Sequence, residues 1–300
     1  MTNLSKDLRA ELKKSCCLNL PKIEQASSSV DGTIKYLLKL RDGKYIEAVK
    51  IPDGRRLTLC ISSQVGCPLG CKFCRTAQLG YQRNLEVAEI IAQVALIREM
   101  INPDERVTNI VFMGMGEPFL NYDNVRSAIE ILTSELAFGI AHGKITVSTV
   151  GHLPGIYRLS DDRLKVGLAV SLASADQKTR DKLMPISKKY PLTKLREAIL
   201  YYTKRARKRV TFEYILISGI TDTIDAAKKL VSFVAEIPCK INLINYNPSD
   251  GMPYQFKPSV EADISKFRDY LYPRTPAVMI RSSRGADIAA ACGQLAAERR

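Results

Sequence analysis

Three hundred residues allow one large domain or two smaller ones, and a 46% hydrophobic content allows a sizeable core. Lysine and arginine number 45 against 31 acids, a net charge of +14, which favours a polyanionic partner such as nucleic acid. No apolar run reaches the length of a membrane span, the charged N-terminus lacks a signal-peptide core, and the expectation is a cytoplasmic protein whose eight cysteines are thiols, not a disulfide framework.

Leu4, Leu8 and Leu12 recur every four residues and predict a short amphipathic helix over 4–14. A polar stretch, 24–29, separates it from residues 33–63, which read as strands. Ile34, Tyr36, Leu38 and Leu40 alternate with Lys35 and Lys39, and Asp42-Gly43 and Asp53-Gly54 are turn signals around 45–51. This β-meander feeds a strand at 57–62. Strands at 57–62, 110–113, 144–148, 166–172, 210–217 and 240–245 then alternate with helices near 85–101, 122–136, 154–160, 192–206, 224–236 and 259–271. That rhythm predicts an α/β fold with a parallel sheet under helices. Six units are too few for an eight-fold barrel, so a partial (β/α)6 barrel is expected, with a doubly wound flat sheet as the alternative. A further apolar strand, 277–280, runs into Arg281-Ser-Ser-Arg-Gly285 and the start of an Ala-rich helix containing Cys292. The expected division is a helical segment (1–28), a meander extension (29–56), the barrel (57–275) and a C-terminal segment (276–300).

The chemistry concentrates in Cys67-Pro-Leu-Gly-Cys71-Lys-Phe-Cys74, three thiols after a strand and before a helix. Thiolates are the usual ligands of iron–sulfur clusters, and three ligands leave one iron of a four-iron cluster open. The alternatives are a structural zinc site, for which neither a second CxxC pair nor a histidine lies nearby, and ordinary buried thiols. Cys16, Cys17 and Cys239 have no motif around them and read as structural. Polar and glycine-rich residues follow successive strands at Cys67, Gly116, Glu117, Ser148, Ser171 and Asn247, the edge on which barrels carry active sites. Alone, Cys60 and Cys292 read as packed thiols and Glu47 as a strand-surface carboxylate. The basic residues Lys188, Lys189, Lys204, Arg205, Arg207, Lys208 and Arg209 are candidate RNA contacts or a solvated helix face.

Several segments together resemble the radical SAM adenosine methyltransferases of the RlmN/Cfr group. They are Gln64-Val-Gly-Cys67 through Cys74, Gly80-Tyr-Gln-Arg-Asn-Leu85, Met113-Gly-Met-Gly-Glu-Pro-Phe-Leu-Asn121 and Ser282-Ser-Arg-Gly-Ala-Asp-Ile-Ala-Ala-Ala-Cys-Gly-Gln-Leu295. The resemblance implies a radical SAM partial barrel with a [4Fe-4S] cluster on Cys67, Cys71 and Cys74. S-adenosylmethionine (SAM) would be held by Gly116, Glu117, Ser148, Ser171, Leu172, Ala173 and Asn247. Family members often carry histidine where Ala173 stands and a small residue where Arg75 stands. The implied reaction methylates an adenine of 23S rRNA, and of tRNA in the RlmN branch, using two SAM molecules in a ping-pong sequence. Cys292 would carry the methyl group, Glu47 would accept the C2 proton, and Cys60 would release the product by forming a transient disulfide with Cys292. Glu47 and Pro118 point to C2; the alternatives are C8 methylation, as in the Cfr branch, and a non-catalytic, metal-containing RNA-binding protein. The resemblance further implies a low-potential electron donor such as flavodoxin, a monomer, and a longer N-terminal helical domain of which this chain carries a remnant.

Overall fold

The computed structural model describes residues 4–15, 20–102 and 104–298; Cys16 and Cys17 lie outside them. Helix α1 (Lys6–Ser15) forms where the leucine spacing predicts it, with none of its residues buried. Residues 24–29 are not a spacer. All but Ser29 belong to β1 (Lys22–Ser28), which pairs antiparallel with β2 (Ile34–Lys39). A polar sequence suits this position, because an edge strand packs on one neighbour and faces water on the other. β2 pairs with β3 (Tyr45–Asp53), and β3 with β4 (Arg56–Cys60), completing the meander.

β4 is also the first parallel strand. It pairs with β7 (Asn109–Phe112), and the sheet continues through β8 (Ile145–Thr149), β9 (Gly167–Ser171), β10 (Val210–Leu216), β11 (Cys239–Asn245) and β12 (Val278–Arg281). Meander and barrel are thus one ten-stranded sheet in the order β1-β2-β3-β4-β7-β8-β9-β10-β11-β12. A separate small ribbon joins β5 (Gln64–Gly66) to β6 (Tyr81–Asn84), clasping the ends of the cysteine loop.

Helices α3 (Val87–Met100), α4 (Tyr122–Thr133), α5 (Leu153–Asp161), α7 (Leu192–Ala206), α8 (Ile224–Val234) and α9 (Glu261–Leu271) form the expected cover. Their apolar stripes meet alternate strand residues such as Phe112, Val147, Val170, Phe212 and Leu243, each fully buried. Such side chains stabilise by roughly 1.5–3 kcal/mol apiece. The opposite face of the strands lines the barrel interior. The very short α2 (Arg75–Gln78) and the polar α6 (Gln177–Leu183) complete the helices. Residues 289–297 do not form the expected Ala-rich helix. Only a 3-10 turn, Ala286–Ile288, appears, and the chain beyond it is irregular.

Candidate active site

Cys67, Cys71 and Cys74 sit on the loop between β5 and α2. Leu69, Ala173, Leu183, Met184, Ile217 and Tyr246 pack around them as an apolar collar. Burial disfavours thiolate and is the main cause of all three upward shifts: Cys67 is pushed up to about 12, Cys71 well above the ordinary thiol value, and Cys74 upward. The charges of Cys67, Cys74 and Glu117 add to the rise at Cys71, so the three thiols and this carboxylate share one dry space. Among the described residues, no three His, Cys, Asp or Glu side chains converge on a single ion.

Gly116 and Glu117 follow β7. Gly116 has φ +99°, and a Cβ there would lie 2.5 Å from Gln64 Cβ, so the close approach of the β5 segment requires glycine. Glu117 is buried, and its N–H donates to Gln64 Oε1 at 2.8 Å. Its carboxylate accepts from Phe119 N (3.1 Å) and Val150 N (2.9 Å). Desolvation still dominates and raises Glu117 to about 7.

Ser148 lies within β8 and Ser171 ends β9. Both alternate with helix-facing residues and so face the barrel interior. The Leu172 side chain instead enters the helix-facing core, while its N–H donates to Glu213 O and its carbonyl accepts from Ser174 N and Arg180 Nε. Ala173 has φ +58° and joins the collar. Arg180, which the sequence reading passed over, is 1% exposed and also donates to Val150 O at 2.6 Å. Desolvation lowers it to about 10, with Cys71 acting in the opposite sense. It ties the ends of β8 and β9 together beside the cysteine loop.

Cys292, distant in sequence, is brought to this loop. Gly293, at φ +84°, approaches Phe73 and Cys74 so closely that a Cβ would lie 3.1 Å from Phe73 O, and Arg75 N donates to Gly293 O at 2.6 Å. Asn247 Nδ2 donates to the Cys292 carbonyl at 3.2 Å. The Cys292 residue is exposed to solvent, yet desolvation raises its thiol pKa, and the charges of Glu213 and Cys74 raise it further. Cys60 ends β4 opposite Val49, on the face shared with Glu47. Burial raises its thiol as well, and a charge on Cys292 would raise it further.

Glu47 is not a surface carboxylate. It is 1% exposed, pairs with Lys35 Nζ at 3.0 Å, and accepts from Ala296 N and Ala297 N. Lys35, which by alternation would face water, is 7% exposed. Arg75 pairs with Glu298 at 2.7 Å and donates to Gly251 O, fastening the C-terminal segment to the loop. The basic candidates divide. Lys188 and Lys189 are exposed after α6, on the same edge as the cysteines; residues 204–209 end α7 at the opposite edge, where β10 begins. Cys239 is core at the start of β11.

The radical SAM superfamily model matches residues 61–231. A dual-specificity RNA methyltransferase RlmN from Geotalea uraniireducens (strain Rf4) is 46% identical over 295 residues, covering 98% of this chain and 84% of that protein. The RlmN of Desulfosudis oleivorans is 46% identical over 99% of this chain and 80% of its own length. A crystal structure of a radical SAM methyltransferase from Sphaerobacter thermophilus superposes with a TM-score of 0.93 at 39% identity, covering 99% of this chain and 87% of that one. The chain therefore belongs to the RlmN family of the radical SAM superfamily, and it is a radical SAM RNA methyltransferase.

Proposed function

We propose that this enzyme methylates C2 of an adenosine in 23S rRNA and in tRNA, with Cys292 as the methyl carrier. The observation that carries this reading is the docking of Cys292 against the cysteine loop, with Cys60 on the neighbouring strand. The soft, dry donor set of Cys67, Cys71 and Cys74 suits a [4Fe-4S] cluster, and Gly116, Glu117, Ser148, Ser171, Ala173 and Asn247 edge the space beside it for SAM. Leu172 contributes through its backbone, which shapes the loop carrying Ala173. Once bound, these groups supply an electron and a 5′-deoxyadenosyl radical that removes a hydrogen atom.

The protein's own part begins when Cys292 sulfur takes a methyl group from a first SAM and loses its proton. After hydrogen removal, the methylene carbon bonds to adenine C2, and Glu47 takes the C2 proton. Cys60 thiolate then attacks Cys292 sulfur: an S–S bond forms, the C–S bond breaks with its electron pair on carbon, that carbon takes a proton to become the methyl group, and the odd electron of the adduct would return to the cluster. Burial raises the Cys60 and Cys292 thiols, so each has to give its proton to a base at the step in which it attacks. The target base must leave its stack to reach Cys292. Lys188 and Lys189, on the site edge, are the proposed phosphate contacts, and a flavodoxin-like protein the proposed electron donor to a monomeric enzyme.

The test is mass spectrometry of RNA from cells with and without the enzyme. The account predicts 2-methyladenosine; 8-methyladenosine alone would overturn the C2 assignment. Cys60→Ala is expected to leave RNA covalently bound on denaturing gels, and Cys292→Ala to abolish methylation.

A further inference from the structure

We propose that the buried Lys35–Glu47 ion pair anchors both ends of the segment bearing Cys292, making Lys35 a positioning residue for methyl loading. This rests on the reading of Cys292 as the carrier. Lys35 Nζ lies 3.0 Å from Glu47 Oε1 and donates to Ala289 O at 3.2 Å. Glu47 Oε2 accepts from Ala296 N at 2.7 Å and Ala297 N at 3.1 Å. The cation therefore holds the segment three residues before Cys292, and the anion holds it four and five residues after. The meander grips the same segment upstream as well, where Gly285 N donates to Asp31 Oδ2 and Ser29 Oγ to Asp287 Oδ1.

Taking two charges out of water is costly, and their mutual attraction rarely offsets that cost unless the remaining hydrogen-bonding capacity is also met. Here the carrier segment meets it. No regular secondary structure holds residues 289–297, so these side chains take the place of a helix or strand ladder. Both Glu47 oxygens are engaged while the segment is docked.

The test compares the anaerobically purified holoenzyme with Lys35→Met and Lys35→Arg, by amide hydrogen exchange and by the rate of methyl transfer from SAM to Cys292 without RNA. Loss of one such bond corresponds to roughly tenfold. In Lys35→Met, amides of 289–297 should exchange about tenfold faster, with those of β10 unchanged, and Cys292 loading should slow by about the same factor at unchanged iron content and S-adenosylhomocysteine binding. Lys35→Arg should restore most of both. If Lys35→Met fails to fold, Lys35→Gln makes the same comparison, keeping a donor without the charge. Wild-type exchange and loading in the folded variant would overturn the proposal. A wild-type enzyme that never carries methyl on Cys292 would overturn the carrier reading, while the exchange data would still decide the anchor.

Discussion

Glu117 is the residue whose chemistry depends most directly on pH. Its folded value, about 7, lies above the ordinary carboxylate value of 4.5, so the folded protein binds a proton that the unfolded chain releases. That contribution to stability is present below pH 4.5 and is lost as pH rises through 7. In the proposed SAM site, ligand binding runs the other way, because the ligand's ammonium group needs the Glu117 carboxylate. Calorimetry of S-adenosylhomocysteine should show affinity falling by up to about tenfold per pH unit below 7, and Glu117→Gln should flatten that dependence. The thiols of the loop follow the same logic. Burial holds Cys67 at about 12, so iron loading must release protons, and reconstitution followed by iron content should speed up towards alkaline pH.

The loops and elements around the site are fixed by a few buried contacts. Arg180 bonds the carbonyls of Val150 and Leu172, and Arg180→Leu takes this donor from Val150 O and leaves Leu172 O with Ser174 N alone. The expected cost is about 2–4 kcal/mol, read as a lower midpoint in denaturant. Gly116→Ala adds a Cβ 2.5 Å from Gln64 at a left-handed φ, and should cost a similar amount, about 2–4 kcal/mol, with iron content falling as the loop shifts. The sequence made the long amphipathic elements legible: α7 spans Leu192–Ala206, as its apolar spacing predicts. Elements stabilised by pairing or polar contacts were not. β1 is polar because it is an edge, and α6 buries only Arg180 and Leu183. The alanines of 289–297 favour a helix by propensity, yet Ala289 and Ala297 have positive φ, and bonds to Lys35, Glu47 and Asn247 prevail. Glu47 was found only through the family resemblance, since no periodicity signals that a distant segment will cover its face.

At the scale of the molecule, one continuous sheet carries two devices. The parallel strands from β4 to β12 direct their carboxyl ends towards the cysteine loop, and the meander from β1 to β4 holds the chain that returns after β12. The two groups of basic residues lie at opposite edges of that sheet, and only Lys188 and Lys189 share the edge of the cysteine loop. Lys188→Ala with Lys189→Ala should weaken RNA binding and flatten its salt dependence, whereas Lys204→Ala with Arg207→Ala should leave both near wild type; filter binding across a salt series measures this.

The central claim is that Cys292 carries a methyl group from SAM to RNA beside the three-cysteine loop. The most direct measurement is the mass of the peptide containing Cys292, taken from anaerobically purified, iron-loaded enzyme that has met SAM but no RNA. The account predicts a peptide heavier by one methyl group, with the label on sulfur and lost when RNA is added. An unmodified Cys292 in enzyme that nonetheless methylates RNA would contradict it.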